Sequence, residues 1–358
     1  MLWLSFFWVL LKSNLRLLKH PFKYFVVVTK SCNSRCKSCL IWTEKPKPEL
    51  TLEEFTEIAK NSPHLYWLTA SGGEPTNRPD FPEIVEAFKR ECPNLLMVNF
   101  TTNGIDSQRI LDHVRRIASL GIRHLAVNVS LDGPPEVHDQ IRGVRGNFVT
   151  AVETFNGIKK IPGVKARLGM TLGESNGHLV EETIASLKQH VPGFKRSWMH
   201  FNLPHTSEHY YLNKKSQARI GDRVLKGFEN LKRKIPFSLS PTAVVERLYH
   251  GLAERYLKSG QTPLPCSALQ SSMYISEQGD VFPCTIWNRK IANLKEHAWN
   301  PKALQELPAY RQALKEIREG HCPQCWTPCE AYQTILSNVI RVPVHSRSWR
   351  FSAPSMER

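Results

Sequence analysis

The chain lacks what a secreted or membrane-spanning protein would open with. Its start, residues 1–11, is apolar except for Ser5, but a spanning helix needs about 20 such residues. A basic leader and a small-residue cleavage site are both missing, which argues against an export signal. Acid is scarce as well. The first acidic residue is Glu44, and 32 Asp and Glu face 48 Lys and Arg, leaving a net charge of +16. That surplus suits an acidic partner, whether nucleic acid, membrane surface or phosphorylated ligand, without choosing among them. The cysteine count, nine, is odd and too small for a disulfide scaffold, so complete internal pairing is not expected. No distinctive Cys–His signature of a thiol hydrolase is present. Aromatics do not alternate with lysines along any strand, as nucleic-acid stacking platforms do. With 41% hydrophobic and 22% charged residues, neither a disordered tail nor a collagen-like fibre fits.

What the chain does have is clustered cysteine. Cys32, Cys36 and Cys39 sit together, Cys266, Cys284, Cys322, Cys325 and Cys329 come late, and Cys92 stands alone. Gaps of two and three residues are ligand spacing, because adjacent turns of chain bring the thiols together. Cys92 reads as a buried bystander.

Six strand-like runs are expected at Tyr24–Thr29, Tyr66–Ala70, Leu96–Thr101, His124–Ser130, Lys165–Leu172 and Ser197–Leu203. They are rich in β-branched and apolar residues, as buried parallel strands are. Helical spacing lies between them: a capping box at Thr51–Glu54, then Phe81–Cys92, Ser107–Leu120, Phe148–Lys160 and His178–His190. The alternation predicts an α/β fold, a parallel sheet with helices outside, either open or curled into a barrel. Ligands bind such sheets at the carboxyl ends of the strands. The polar signals fall there in turn: the three cysteines, Ser71–Pro75, Thr102-Asn103-Gly104 and Ser130–Gly133. Three thiolates leave one iron of a four-iron cluster open to another ligand. Gly72 and Gly73 allow close approach of backbone. Glu74 suits an amine, Ser130 or Asp132 a ribose, and Arg142 a carboxylate through a bidentate fork.

These residues resemble the radical S-adenosylmethionine (SAM) enzymes. Cys32-xxx-Cys36-xx-Cys39 looks like the family's signature, whose cysteines hold a 4Fe–4S cluster. SAM then chelates the fourth iron through its amino and carboxylate groups. Gly72-Gly73-Glu74-Pro75 resembles the motif that binds the SAM amino group. Ser130 and Asp132 match the ribose position, Arg142 an arginine near the SAM carboxylate, and Asn103 a pocket-lining polar residue. The residue before the third cysteine is usually aromatic in the family, and here it is Ser38. The resemblance implies a partial (β/α)6 TIM-like barrel. It also implies reductive cleavage of SAM to a 5′-deoxyadenosyl radical, which abstracts hydrogen from a substrate.

Cys266, Gly279 and Cys284 are similar to the opening of the SPASM or twitch extension of that family, which carries auxiliary clusters. A strand, a Gly turn and a second strand present Cys284, a helical run follows at Leu304–Arg318, and Cys322-xx-Cys325-xxx-Cys329 closes the site. The full SPASM pattern has more cysteines, so one auxiliary 4Fe–4S cluster on four of these five thiols is expected, with the spare one left open. A zinc ribbon is the alternative from spacing alone. His321 reads as a neighbour.

The expected organisation is an amphipathic segment over 1–21, a radical SAM core over 22–215 and a helical, basic connector over 216–260. A small cysteine-rich α+β iron–sulfur extension over 261–340 and a basic tail over 341–358 complete it. The segment before the first strand is short, so no separate peptide-recognition domain is expected ahead of the core. A peptide or protein is the expected substrate. The apolar, basic N-terminus makes a membrane lipid or lipid-linked substrate the rival. A non-catalytic zinc or iron–sulfur nucleic-acid-binding protein is the alternative of another class. The N-terminal helix either lies on an anionic membrane or packs on the protein's own core; a short re-entrant segment is a third reading. A flavodoxin or ferredoxin would donate electrons, and the cytoplasm, at most peripheral to the membrane, is the expected location. His200, Asn202, His205, His209, Tyr210 and Tyr211 either line the substrate mouth of the barrel or, the commoner case, form an ordinary loop with surface histidines.

Overall fold

The computed structural model describes residues 2–214, 221, 223–228 and 241–341. Six parallel strands run β1 (Lys23–Thr29), β2 (Trp67–Gly72), β3 (Met97–Thr102), β4 (His124–Ser130), β5 (Val164–Thr171) and β6 (Met199–Asn202). Helices fill the crossovers: α1 (Leu2–Asn14) precedes them, then α2 (Leu52–Lys60), α3 (Phe81–Glu91), α4 (Ser107–Ser119), α5 (Pro135–Arg142), α6 (Asn147–Ile158) and α7 (Val180–His190). α8 (Pro241–Ser259), β7 (Ser272–Ile275), β8 (Asp280–Phe282), β9 (Ala292–Asn293), α9 (Pro308–Glu319) and α10 (Pro328–Leu336) follow. This is the expected α/β architecture, a curled parallel sheet with helices outside.

β1 shows why the sequence folds this way. All seven of its residues are buried, as a continuous apolar run with neighbours on both faces should be. Tyr24, Val26 and Val28 join the main core under the helices. Phe25 and Val27 face the other way, with Tyr210, Tyr274 and Phe282. Thr51 closes the predicted capping box with Glu54 at the start of α2.

The sheet does not stop at β1. Its order is β6-β5-β4-β3-β2-β1-β7-β8-β9. β7 pairs parallel with the outer edge of β1, matching Phe25 to Tyr274, and β8 and β9 continue antiparallel. The expected hairpin is therefore present, but it is annealed to the core rather than hung from it. The strand and helix bounds differ from the sequence expectation by a residue or two, except that the run expected from Leu304 becomes α-helix only at Pro308. Three elements escaped it. α5 is short and mostly polar, β9 is only two residues long, and α10 hides behind the cysteine spacing.

A larger correction concerns the stretch after β6. It is half-buried to buried, not a loop of surface histidines. His205 Nδ1–H donates to the Leu203 carbonyl (3.0 Å), leaving Nε2 to accept from the Trp326 backbone N–H at 3.2 Å. His209 Nε2 donates to the Cys284 carbonyl at 3.0 Å. Tyr210 Oη meets Ser71 Oγ at 2.5 Å. These side chains clamp the extension to the barrel. Of the connector expected over 216–260, residues 223–228 and α8 are helical, whereas 216–220, 222 and 229–240 lie outside the described residues, as does the tail from 342.

Candidate active site and cysteine centres

The loop after β1 carries Cys32, Cys36 and Cys39 and is fastened by three different elements. From the end of β2, Gly73 N–H donates to Thr29 O and Glu74 N–H to Ser31 O, both at 2.8 Å. At the end of α5, Arg142 O accepts from Arg35 N–H (3.0 Å) and Ile141 O from Lys37 N–H (2.9 Å). From the stretch after β6, Tyr211 O accepts from Leu40 N–H at 2.9 Å and Asn213 Nδ2 donates to Ser38 O at 2.7 Å. The glycines are required by this stitching. A Cβ on Gly72 would stand 2.2 Å from Thr29 O, and one on Gly73 2.3 Å from Ser31 O. Gly143, at φ +66°, is equally tight, with a Cβ 2.4 Å from Arg35 O. Pro near its start and Gly at its end are the signal that would have located α5.

Glu74 is buried and fully engaged. One oxygen accepts from Thr76 Oγ1 (2.7 Å), the other from Asn103 N–H (2.7 Å). Its burial pushes its pKa up, against the pull of those donors. Asn103 passes the tie onward, its Nδ2 donating to Asn33 Oδ1 at 2.7 Å and its carbonyl accepting from Asn147 Nδ2 at 3.0 Å. Asn147 Oδ1 in turn accepts from His138 Nε2 at 3.1 Å, and His138 Nδ1 accepts from the Asp132 N–H at 2.9 Å. Burial holds the His138 pKa down to about 4, so the ring is neutral and one tautomer serves both bonds. His138 and Asn147 were not predicted; they brace the predicted residues from below.

Asp132 and Arg142 are brought together, at 2.7 Å. Asp132 Oδ1 also accepts from Thr171 N–H at 2.8 Å, so both its oxygens are occupied. Arg142 Nη1 reaches Cys36 Sγ at 3.7 Å, while its Nε is buried without a partner. Although burial alone would lower it, the charges of Asp132 and Cys36 carry the Arg142 pKa upward. Ser34 Oγ lies 3.2 Å from Cys36 Sγ. Burial pushes the thiol pKa of Cys32 up to about 12 and of Cys39 to about 11. Cys36 and Cys39 add to the rise at Cys32, and Cys36 to that at Cys39. A cavity of about 280 Å³ opens beside Cys32, walled by Lys30, Trp42, Glu44 and Glu277. Of the predicted site residues, Cys32 alone lines it. Trp42 Nε1 donates to Cys36 O at 3.3 Å, placing an aromatic beside the loop despite Ser38.

A second centre forms in the extension. Cys266, Cys284, Cys322 and Cys325 line one narrow cleft with Trp287 and Glu330. Backbone N–H groups of Trp287 and Ala268 point at the sulfurs of Cys284 (3.4 Å) and Cys266 (3.5 Å). Cys329 is elsewhere. It packs against the inward-facing set of Phe25, Val27, Tyr210, Tyr274 and Phe282, and its carbonyl accepts from buried Lys23 Nζ at 2.5 Å. The thiol left open by sequence is thus set apart by geometry. His321 is 70% exposed at its side chain, and Cys92 is buried with its thiol on the Ala59 carbonyl. All nine cysteines are free.

Comparison with known proteins agrees. Residues 26–181 match the radical SAM superfamily, and residues 266–326 match the SPASM iron–sulfur cluster-binding domain. The chain thus carries a radical SAM domain and a SPASM iron–sulfur cluster-binding domain. Sporulation killing factor maturation protein SkfB of Bacillus subtilis is 30% identical over 169 residues, 46% of this chain and 39% of that protein. The chain thus spans well under half the length of that relative. AdoMet-dependent heme synthase of Oleidesulfovibrio alaskensis is 24% identical over 319 residues, 83% of this chain and 78% of that protein. Streptococcus suis SuiB bound to S-adenosylmethionine aligns with a TM-score of 0.58 and 14% identity, covering 82% of this chain and 68% of that one. SuiB is also known bound to the precursor peptide SuiA. This last likeness concerns the fold, a partial TIM barrel.

Radical SAM and SPASM domains imply a SAM-binding 4Fe–4S cluster, SAM and auxiliary iron–sulfur chemistry. Among the described residues no three Cys, His, Asp or Glu side chains converge on a point that would hold a single metal ion. An iron–sulfur cluster asks for something else, since each thiolate takes a different iron. The donor sets fit it: free thiols in two groups, N–H donors aimed at sulfur, and a buried guanidinium beside Cys36.

Proposed function

We propose that the chain is a radical SAM enzyme that modifies a peptide. The observation carrying this reading is the fastened cysteine loop at the carboxyl ends of β1–β4, together with the separate four-cysteine cleft. Cys32, Cys36 and Cys39 would hold the SAM-binding cluster. The Gly72–Gly73 backbone, Asn103, Ser130 and Arg142 would border SAM, with Asp132 holding Arg142 in place. Cys266, Cys284, Cys322 and Cys325 would hold one auxiliary cluster. When bound, the cluster and SAM supply one-electron chemistry that ends in hydrogen removal from substrate. The chain's own residues do the positioning. Arg142 sets positive charge against Cys36, Glu74 pins β2 to β3, and Tyr210 and Tyr211 wall the interior from water. A small flavodoxin or ferredoxin would supply electrons, in the cytoplasm. The functional units would be a core over 22–215 and an extension over 261–340, joined by one sheet.

Support for a peptide comes from the relatives, one a maturation protein and one seen with a precursor peptide. The test is anaerobic reconstitution of wild type and a Cys32/Cys36/Cys39→Ala variant, with iron counting and 5′-deoxyadenosine release. The variant should lose about four irons and all SAM cleavage, as expected for one cluster. Unchanged iron would overturn the assignment. Cleavage stimulated by a haem precursor, and by no peptide, would overturn the substrate class alone.

A further inference from the structure

α1 is apolar on the face that points to solvent as well as on the face that points inward. Phe6 is buried against Phe22, Tyr66 and Leu96, the residues just before β1, β2 and β3. Trp3 lies 5.0 Å from His124, the first residue of β4. The helix therefore lies across the amino ends of the strands, the end opposite the cysteine loop. Outward stand Trp3 (50% exposed), Leu4 (68%), Phe7 (61%) and Trp8 (58%). A surface helix ordinarily turns its polar stripe outward, and one that is apolar all round has something on both sides. Contiguous exposed apolar surface of this kind marks an interaction site.

Charge says what covers it. The loops entering β2 to β6 at this end (61–65, 92–95, 120–123, 159–163 and 192–196) contain no aspartate or glutamate. They carry Arg123, Lys159, Lys160 and Lys195, together with Arg196, which pairs with Glu181 at 3.4 Å. Lys12 and Lys19 are exposed beside the apolar patch. Arg16 lies near Arg318 and Arg341, whose like charges depress its pKa after burial does. Indole and phenyl rings ringed by cations match the interface of an anionic bilayer, with rings at the acyl boundary and cations among headgroups. No helix among the described residues is long and apolar enough to cross a membrane.

We infer that α1 and the basic loops around it form a peripheral docking face for an anionic membrane. Docking here aims the carboxyl ends of the strands away from the bilayer. Seven residues of β1, at about 3.3 Å each, put about 20 Å between the two ends. A substrate at the cysteine face then arrives from the water side, so the membrane positions the enzyme and is not its substrate.

The test uses the reconstituted full-length chain and sedimented vesicles of phosphatidylcholine, with and without 30% phosphatidylglycerol. Binding should require phosphatidylglycerol and weaken as salt rises. The variant W3S/F7S/W8S should lower the bound fraction at least tenfold while its melting temperature and iron content hold, since these side chains touch solvent. A second variant, K12E/K19E, should weaken binding with the apolar face intact. Equal partitioning of wild type and both variants would overturn the inference. So would wild-type dimers, seen by light scattering without vesicles, that W3S/F7S/W8S converts to monomers, because a second copy would then cover the face.

Discussion

Replacing Gly73 with alanine probes the site through a single methyl group. The new Cβ would lie 2.3 Å from Ser31 O and 2.7 Å from Lys30 O, where ordinary contact begins near 3.4 Å. Both obstacles are backbone, so β2 and the cysteine loop must part by about 1 Å. The bonds from Gly73 N–H to Thr29 O and Glu74 N–H to Ser31 O, each 2.8 Å, would be broken or stretched. At about 1 kcal/mol apiece, the loss is about 2 kcal/mol. For a chain of this size that is a fall of roughly 3 °C in melting temperature. Gly121→Ala is the control. Unlike Gly73 it has positive φ, +66°, but its Cβ meets nothing within 4 Å, so it costs about 1 kcal/mol of backbone strain and leaves the loop alone. Differential scanning calorimetry gives the stabilities, and iron counting after reconstitution gives the consequence. Gly73→Ala should lose the iron of the first centre and keep that of the second, while Gly121→Ala keeps both. A Gly73→Ala protein with wild-type melting temperature and full iron would show that the stitching does not position the cysteines.

In the extension, Cys325→Ser should remove about four irons and Cys329→Ser none, because only the first lines the shared cleft; equal losses by iron analysis would refute the division. Asp132→Asn leaves the buried Arg142 without its counter-charge. It should cost about 3–5 kcal/mol in denaturant unfolding, and a cost below 1 kcal/mol would mean the pair is relaxed in solution. Burial holds His205 neutral, its pKa lowered to about 4 from 6.5. The unfolded chain therefore binds more protons between those values, and stability present above pH 6.5 drains as pH falls through that window. About 3 kcal/mol should go by pH 4, and a His205→Ala protein, less stable at neutral pH, should show a correspondingly flatter profile in this window.

The strand–helix alternation was legible because it is a local pattern. Cysteine spacing and the order of polar turns on successive strand ends are local signals too, so Cys32, Gly72, Asn103 and Asp132 could be singled out as candidates. What those residues touch is long-range. Nothing local says that Asp132 and Arg142 are consumed by each other, or that Gly73 is glycine because Ser31 lies over it. His205 and His209 looked like solvent-facing residues because polar side chains usually are; their partners, Trp326 and Cys284, lie 121 and 75 residues away. Cys329 could not be separated from Cys325 by counting. Only the turn of α10 aims it at the barrel wall.

The pairing of β7 with β1 also bears on biosynthesis. β1 emerges early but gains its second neighbour only when the last quarter of the chain arrives. Ser13, just ahead of it, waits for the Ser271 and Ser337 hydroxyls, 2.8 and 2.7 Å away across 258 and 324 residues. Until then the edge of β1 is an open template, and the loop bearing Cys32 hangs from an unfinished sheet. Assembly is thus a closing of the first strand by the last elements. A chain cut short after the barrel would be an adhesive fragment, and metal loading is best supplied late, once β7 has met β1.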